Sequence, residues 1–140
     1  MSDHTVAFFD STFEEALSLT REARDYLTHS EPAERGKLSP TDRMAASCET
    51  MRLTSRLTQI MAWLMVQKAI HAGEMTREEA AAPEYRLSGK EVCEETQPAV
   101  EGATLQPRLL DLLDRSHRLY QRVARLDAMQ GHSVRPALEE

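Results

Sequence analysis

One stretch of the chain contains more than thirty consecutive residues with no proline or glycine to interrupt a helix. Ser39 is a suitable N-cap, Pro40 suits the first helical position, and Asp42 lies near the positive end of the helix dipole. Gly73 suits the position that follows a helix. The sequence therefore predicts a helix over residues 40–72, about 50 Å long at about 1.5 Å per residue.

The composition favours an all-α fold for the rest of the chain. Of the 140 residues, 41% are hydrophobic but only 5% are aromatic, whereas strands favour β-branched and aromatic residues. A chain of this length forms one domain. Ser11 and Glu14 have the spacing of a capping box, and apolar residues follow at helical spacing to about residue 29. This pattern predicts a first helix over residues 11–29.

Two further helices follow from the same signals. Thr76 and Glu79 form a second capping box, which predicts a short helix that Pro83 ends. A last helix is predicted over residues 105–130, with Pro107 in its first turn and its buried stripe repeating at helical spacing. We therefore expect a three-helix bundle with a long central helix and one short extra helix.

The remaining segments have few large apolar residues. Residues 83–104 contain two prolines, two glycines and several acidic residues, which predicts a flexible linker. Gly131 is expected to end the last helix, so residues 131–140 are predicted to be a disordered tail. The expected single domain covers residues 1–130.

Charge and cysteine content narrow the possible classes of protein. The formal net charge of −6 makes nucleic acid an unlikely partner, because phosphate neutralisation supplies most of that affinity. The sequence has no apolar run long enough to span a membrane and no secretory signal at its start. Two cysteines, Cys48 and Cys93, fit a reducing compartment without disulfides. The expected location is the cytoplasm.

The long helix carries two apolar stripes on roughly opposite faces. One stripe, here called the seam, has small residues and methionines at alternating spacings of four and three. The seam consists of Met44, Cys48, Met51, Ser55, Thr58, Ala62, Met65 and Ala69. The opposite stripe consists of Leu53, Leu57, Ile60 and Leu64.

A helix that packs on one side only needs a single stripe. Two stripes therefore predict that one face builds the bundle and the other contacts a second copy or another protein. The candidate interface residues are Met51, Ser55, Thr58, Ala62 and Met65 on the seam, with Leu53, Leu57 and Leu64 as the opposing candidates. The alternative is that the helix lies between its two neighbours in a monomer.

Catalytic and metal-binding motifs are not supported. Asp114 and His117 have a carboxylate–histidine spacing, but a di-iron bundle needs two such units and two further carboxylates. Cys48 and Cys93 lack the spacing of a zinc site. The sequence contains no phosphate-binding loop or nucleophile elbow. We expect no enzymatic activity, no cofactor and no metal.

Charged residues on the last helix suggest two contacts. A basic stripe beside its apolar face could receive an acidic partner or the acidic linker, or could simply be solvated. The stripe consists of Arg115, Arg118, Arg122 and Arg125. Asp127 falls within the apolar stripe itself, where an unpaired carboxylate is costly. In an up-down-up bundle the end of the third helix meets the start of the second, which predicts that Asp127 pairs with Arg52 or Arg43.

Three blocks of the sequence resemble a known family. They are ETMRLTSRLTQIMAWL at residues 49–64, KAIHAGEMT at residues 68–76 and RSHRLYQRVARLD at residues 115–127. Together they resemble the RcdA family, the regulators of CtrA degradation in alphaproteobacteria. The resemblance implies an all-helical, dimeric three-helix bundle with a flexible linker and tail, and no catalysis.

The family's role, as the resemblance implies it, is that of a proteolytic adaptor. Such a protein helps bring cell-cycle regulators such as CtrA to the ClpXP protease, together with other adaptor factors. The implied location is the cytoplasm, with recruitment to the cell pole. The alternative function from the residues is a small DNA-associated transcriptional regulator that uses the basic stripe.

Overall fold

A computed structural model describes the backbone of residues 3–139 and the side chains of residues 5–131. Within these residues the chain forms helices and no strand, so the predicted all-α class is confirmed. The α-helices are α1 (Asp3–Asp25), α2 (Glu31–Arg35), α3 (Pro40–His71), α4 (Arg77–Ala80), α5 (Lys90–Cys93) and α6 (Pro107–Glu139). A π-helical turn (Tyr26–Ser30) joins α1 to α2, and a 3-10 turn (Pro83–Tyr85) follows α4.

The ends of α3 follow the local signals in the sequence. The Ser39 side chain accepts a hydrogen bond from the backbone N–H of Asp42, and Pro40 is the first helical residue. Gly73 follows the helix with a φ of 77°, a left-handed conformation that glycine adopts without strain. The capping box of Thr76 and Glu79 is also confirmed, with both reciprocal hydrogen bonds formed.

The first helix begins at Asp3, earlier than the predicted start at Ser11. The reason is the burial of Phe9, whose ring lies 5.8 Å from that of Trp63 and 5.3 Å from that of His71. This contact extends the apolar stripe of α1 by one turn toward the N-terminus. Ser11 therefore lies inside the helix and is exposed.

The order of the three long helices is up-down-down, so the predicted up-down-up arrangement is wrong. Arg56 of α3 contacts Leu113 of α6, and Gln67 contacts Gln130 further along both helices, so α3 and α6 run parallel. The first helix is antiparallel to α6, because Glu15 pairs with Arg122 whereas Glu22 pairs with Arg115. A long connection between α3 and α6 allows this parallel arrangement, since only short loops require antiparallel neighbours.

The core lies where α1, α3 and α6 meet. Its largest buried side chains include Tyr26 of the π-helical turn and Tyr120 of α6, each 1% exposed. They pack with aliphatic residues of all three helices at helical spacing. These residues are Leu19, Leu53, Ile60, Leu64, Leu109, Leu112, Leu119 and Val123.

The linker of residues 83–104 is fastened along the bundle, contrary to the predicted flexible connection. The Tyr120 hydroxyl donates to the Ser88 carbonyl at 2.8 Å, and burial raises the pKa of Tyr120 to about 12, so the proton stays in place. Further along, the backbone N–H of Ala99 donates to Glu49 and that of Thr104 donates to Asp42. Polar side chains of α3 and α6 thus hold the linker through its backbone groups. The linker needs few large apolar residues of its own to pack on the bundle.

The last helix continues past Gly131 to Glu139, although the sequence predicts a helix end and a disordered tail there. The Arg86 guanidinium lies over Gly131, and a Cβ at this position would be 2.6 Å from Nη1. Gly131 therefore allows a close approach inside a helix and does not serve as a helix end. Residue 140 lies outside the described part of the chain.

Candidate partner-binding face

The seam of α3 is an uncharged surface that the bundle leaves open along one helix. Met44, Met51 and Met65 are 63%, 71% and 61% exposed. Cys48, Thr58 and Ala62 are also exposed, and Ser55 and Ala69 are half-buried. Exposed apolar residues that follow one helix face are typical of a contact surface for another chain.

The opposing candidates, Leu53, Leu57 and Leu64, lie in the core and are at most 6% exposed. They pack against α1 and α6, so they are not available to another molecule. The structure thus separates the two stripes of α3: the leucine stripe builds the bundle and the seam faces outward. The alternative in which both stripes are covered within one chain does not hold.

An apolar groove between α1 and α3 widens the seam on one side. Its floor includes Leu57 and Ala23, and its walls include Leu27, Met61 and Met65. The lining also contains four threonines and Arg24 but no carboxylate. The groove and the seam together form a continuous, nearly uncharged surface.

The basic stripe of α6 is largely engaged within the chain. Arg115 binds both carboxylate oxygens of Glu22, each at 2.8 Å, and Arg122 binds Glu15 at 2.6 Å. These pairs hold the acidic first helix against α6, as the opposite charges of the two segments favour. The hydrogen bond from Arg115 lowers the pKa of Glu22.

The other two arginines of the stripe face solvent. Arg118 pairs with Asp114 one turn away on the same helix, and Arg125 is exposed. The sequence suggested the acidic linker as a partner for the stripe, but the linker contacts Arg56 and Glu49 of α3 and Tyr120 of α6 instead. Arg115 and Arg122 are paired with α1 and Arg118 is paired with Asp114, so the stripe does not form the continuous basic surface that a DNA-binding protein requires.

Arg56 of α3 is a buried polar residue, only 2% exposed, that hydrogen-bonds to two other parts of the chain. Its Nε and Nη2 donate to the carbonyls of Cys93 and Glu95, both at 2.8 Å, and Nη1 donates to the Leu113 carbonyl at 2.9 Å. One side chain of α3 thus holds both the linker and α6. Burial, and secondly the charge of Arg52, lower the pKa of Arg56.

The partner of Asp127 is Arg86, so the predicted pairing with Arg52 or Arg43 is wrong. Arg86 Nε donates to Asp127 at 2.8 Å, and the same carboxylate accepts a hydrogen bond from Trp63 Nε1 at 2.9 Å. Because α6 runs parallel to α3, Asp127 lies near the end of α3 and not near its start. The hydrogen bond that Arg86 donates to Asp127 raises the pKa of Arg86.

The two arginines that the sequence proposed for Asp127 have other contacts. Arg52 pairs with Glu49 at 2.8 Å and donates to the Gln97 carbonyl, while Arg43 donates to the Leu38 carbonyl. Both arginines lie in the first half of α3. The parallel direction of α6 places Asp127 near the other end of α3, out of their reach.

We expect Asp127→Asn to lower the free energy of unfolding by about 1–2 kcal/mol, because Arg86 loses a charge-assisted hydrogen bond in a largely buried place. Urea unfolding followed by the fluorescence of Trp63 measures the change, since this tryptophan contacts Asp127 directly. The control is Asp114→Asn on the same helix, whose exposed pair should contribute less than about 0.5 kcal/mol. Equal effects for the two variants would contradict the role assigned to Arg86.

The residues considered for metal chemistry do not come together. His117 Nε2 lies 3.1 Å from the Glu94 carbonyl, Cys93 is buried, and Cys48 is exposed on the seam. Among the described residues no three His, Cys, Asp or Glu side chains are close enough to hold a metal ion. No described helix is both long and apolar enough to cross a bilayer.

Fold and surface together define a small helical bundle with one long helix that exposes an uncharged face. The chain belongs to the family described as protein of unknown function (DUF1465), whose model matches residues 2–139. Its structure is similar to the crystal structure of RcdA from Caulobacter crescentus CB15, with 37% sequence identity and a TM-score of 0.72. The likeness covers 87% of this chain and 89% of that chain, which confirms the resemblance to RcdA. No curated protein matches the chain.

Proposed function

We propose that this protein is a non-enzymatic adaptor that helps deliver cell-cycle regulators, CtrA among them, to the ClpXP protease. The observation that carries the proposal is the likeness to RcdA, which covers nearly nine tenths of both chains. Such an adaptor acts through protein–protein contacts in the cytoplasm, with recruitment to the cell pole, and needs neither cofactor nor metal.

The seam supports a role in protein contact. None of its eight residues is charged, so no carboxylate or guanidinium has to be desolvated when another chain covers it. Its methionines are flexible and adapt to different partner surfaces, while Ala62, Thr58 and Ser55 allow a second helix to approach closely. These properties suit a surface that binds another helix.

We infer that the first occupant of the seam is a second copy of this chain. Two copies related by a twofold axis place the same patch on both sides of the interface, which requires a surface that complements itself. A stripe with alternating spacings of four and three meets this condition, because it is the pattern of helices that pack along their length. The uncharged seam also avoids like charges facing each other.

Reconstituted proteolysis tests the adaptor function. With ClpXP and CtrA from the source organism and the other adaptor factors present, we expect the protein to accelerate CtrA degradation. The rate should fall when Met51→Glu places a charge on the seam, and should be unchanged for Met129→Glu, which alters a methionine of α6 that is equally exposed. An unchanged degradation rate with and without the protein would contradict the proposal.

The DNA-associated alternative gives a different result in solution. A transcriptional regulator would bind DNA with an affinity that falls steeply as salt increases. With Arg115 and Arg122 paired to acidic residues of α1, we expect no such binding. Salt-sensitive DNA binding that depends on Arg118 and Arg125 would favour the alternative.

A further inference from the structure

A cavity of about 240 Å³ lies on the side of α3 away from the seam, between α3, α6 and the linker. One side of the cavity is apolar and the other is basic. The apolar side is formed by Pro98, Leu105, Leu110 and Leu113, and the basic side by Arg52 and Arg56. Leu110 is 50% exposed, so the cavity opens to solvent at this residue.

The two arginines are placed side by side by the helix itself. They are four residues apart on α3, so their side chains lie on the same face, one turn from each other. Arg52 uses Nη1 for Glu49 and the Gln97 carbonyl, which leaves Nε and Nη2 without a partner among the described residues. Arg56 keeps one N–H of Nη2 beyond its bond to Glu95. Several N–H donors thus remain beside the cavity.

The charges around the cavity do not cancel locally. Glu49 is engaged by Arg52 and by the backbone N–H of Ala99, and Asp114 at the rim is paired with Arg118 outside the cavity. The hydrogen-bond acceptors of Arg56 are carbonyl and hydroxyl groups, and the carboxylate whose charge acts on it is Glu49, which Arg52 already engages. His117 Nε2 lies 3.1 Å from the Glu94 carbonyl, and a histidine supplies no negative charge to the cavity.

A buried guanidinium normally has a counter-ion, because the carbonyl dipoles that satisfy its hydrogen bonds do not neutralise its charge. Arg52 and Arg56 share the single carboxylate of Glu49, so a second anion would lie in the cavity, next to the remaining N–H groups of Arg52. The opposite wall is aliphatic and requires an apolar group. The cavity therefore fits a ligand with an anionic end and an apolar end.

We propose that this cavity binds a monocarboxylate that carries a branched apolar group about the size of a leucine side chain. The carboxylate forms paired hydrogen bonds with Arg52, a geometry that the planar guanidinium favours, and adds negative charge beside Arg56. The apolar group packs between Leu105 and Leu113. The volume is below the roughly 300–1,000 Å³ of drug-sized sites, so a single small group fills it.

Two sources can supply this chemistry: a free small acid, or the C-terminal residue of a peptide whose preceding residues leave the cavity past Leu110. The site is separate from the seam and goes beyond the adaptor function proposed above. Its failure is distinguishable from failure of that function, because the test measures binding of small ligands and no proteolysis.

Calorimetric titration of the full chain tests the site with matched ligand pairs. The first pair is N-acetyl-leucine and N-acetyl-leucine amide, and the second is a pentapeptide ending in leucine with a free or an amidated C-terminus. We expect each free carboxylate to bind at least about tenfold more tightly than its amide, since a hydrogen bond to a charged group has this effect. Binding of the peptide alone assigns the site to a protein terminus, and binding of both assigns it to the carboxylate chemistry itself.

Variants then locate the site. Arg52→Gln should weaken carboxylate binding at least about tenfold, Leu110→Ala should weaken it less, and Arg125→Gln, on the exposed side of α6, should leave it unchanged. The comparison of acid with amide uses the unaltered protein, so it holds even where a variant folds poorly. Equal affinity for acid and amide, no binding of either pair at millimolar concentration, or unchanged binding by Arg52→Gln overturns the proposal.

Discussion

Arg56→Met lowers the free energy of unfolding by about 3 kcal/mol, since two linker carbonyls that Arg56 satisfies are left without a donor and the hydrogen bond that joins Arg56 to α6 is lost. The two linker carbonyls are those of Cys93 and Glu95, whereas the Leu113 carbonyl of α6 keeps a hydrogen bond from the Ser116 hydroxyl. Methionine keeps a similar length and apolar stem, so the loss reports the hydrogen bonds more than the packing. Chemical denaturation followed by circular dichroism measures this change.

Hydrogen exchange distinguishes a local effect from general destabilisation. In Arg56→Met we expect the amides of residues 88–99 to exchange much faster, because this part of the linker is held mainly by side chains of α3 and α6. The matched control is Arg125→Met on the exposed side of α6, which should change stability by less than about 0.5 kcal/mol. A stable Arg56→Met protein with a protected linker would show that the linker is held by something other than Arg56.

Glutamate on the seam should weaken self-association at least about 100-fold. In a symmetric dimer each substitution occurs twice, and each new carboxylate would have to leave water for an apolar interface. We expect this effect for Met51→Glu and for Ala62→Glu, which lie three turns apart on the exposed face of α3. Sedimentation across a range of concentrations gives the dissociation constant.

Two comparisons make the seam experiment specific. Met129→Glu changes an exposed methionine of α6 away from the seam, and its dissociation constant should equal that of the unaltered chain. The seam variants should keep the stability of the monomer, because Met51 and Ala62 are exposed there. A seam variant that associates as tightly as Met129→Glu would place any interface on another face.

Signals that act within a few residues predicted the secondary structure well. The Ser39 cap, Pro40 and Gly73 define α3 closely, and the capping box of Thr76 forms as its spacing predicts. These motifs depend on backbone hydrogen bonds between neighbours, which a sequence displays directly. The two stripes of α3 were also visible, because helical periodicity fixes which residues share a face.

Helix directions and contacts between distant parts of the chain could not be predicted from such local signals. Whether α6 runs parallel or antiparallel to α3 is decided by the linker, which contains few large apolar residues to indicate where it packs. The wrong helix direction then gave the wrong partner for Asp127. No feature of the sequence indicated Arg86 as the partner of Asp127, because Arg86 lies in the linker, far from Asp127 in sequence. The burial of Arg56 could have been predicted, because this arginine lies close in sequence to Leu53, Leu57 and Ile60, which are buried.

The same reasoning explains the early start of α1 and the extension of α6. Ser11 and Glu14 have the spacing of a cap, but burial of Phe9 against Trp63 favours a helix that continues through them. Gly131 has the typical residue type of a helix end, but the Arg86 guanidinium occupies the space over its Cα. In both cases a tertiary contact outweighs a local preference worth about 1 kcal/mol.

The central claim is that the seam of α3 is covered by a second copy of the chain. Light scattering coupled to size exclusion measures the molar mass of the purified protein directly. We expect twice the chain mass of 15.8 kDa for the unaltered protein, and a shift to 15.8 kDa for Met51→Glu. A mass of 15.8 kDa for the unaltered protein at every concentration up to the millimolar range would contradict it.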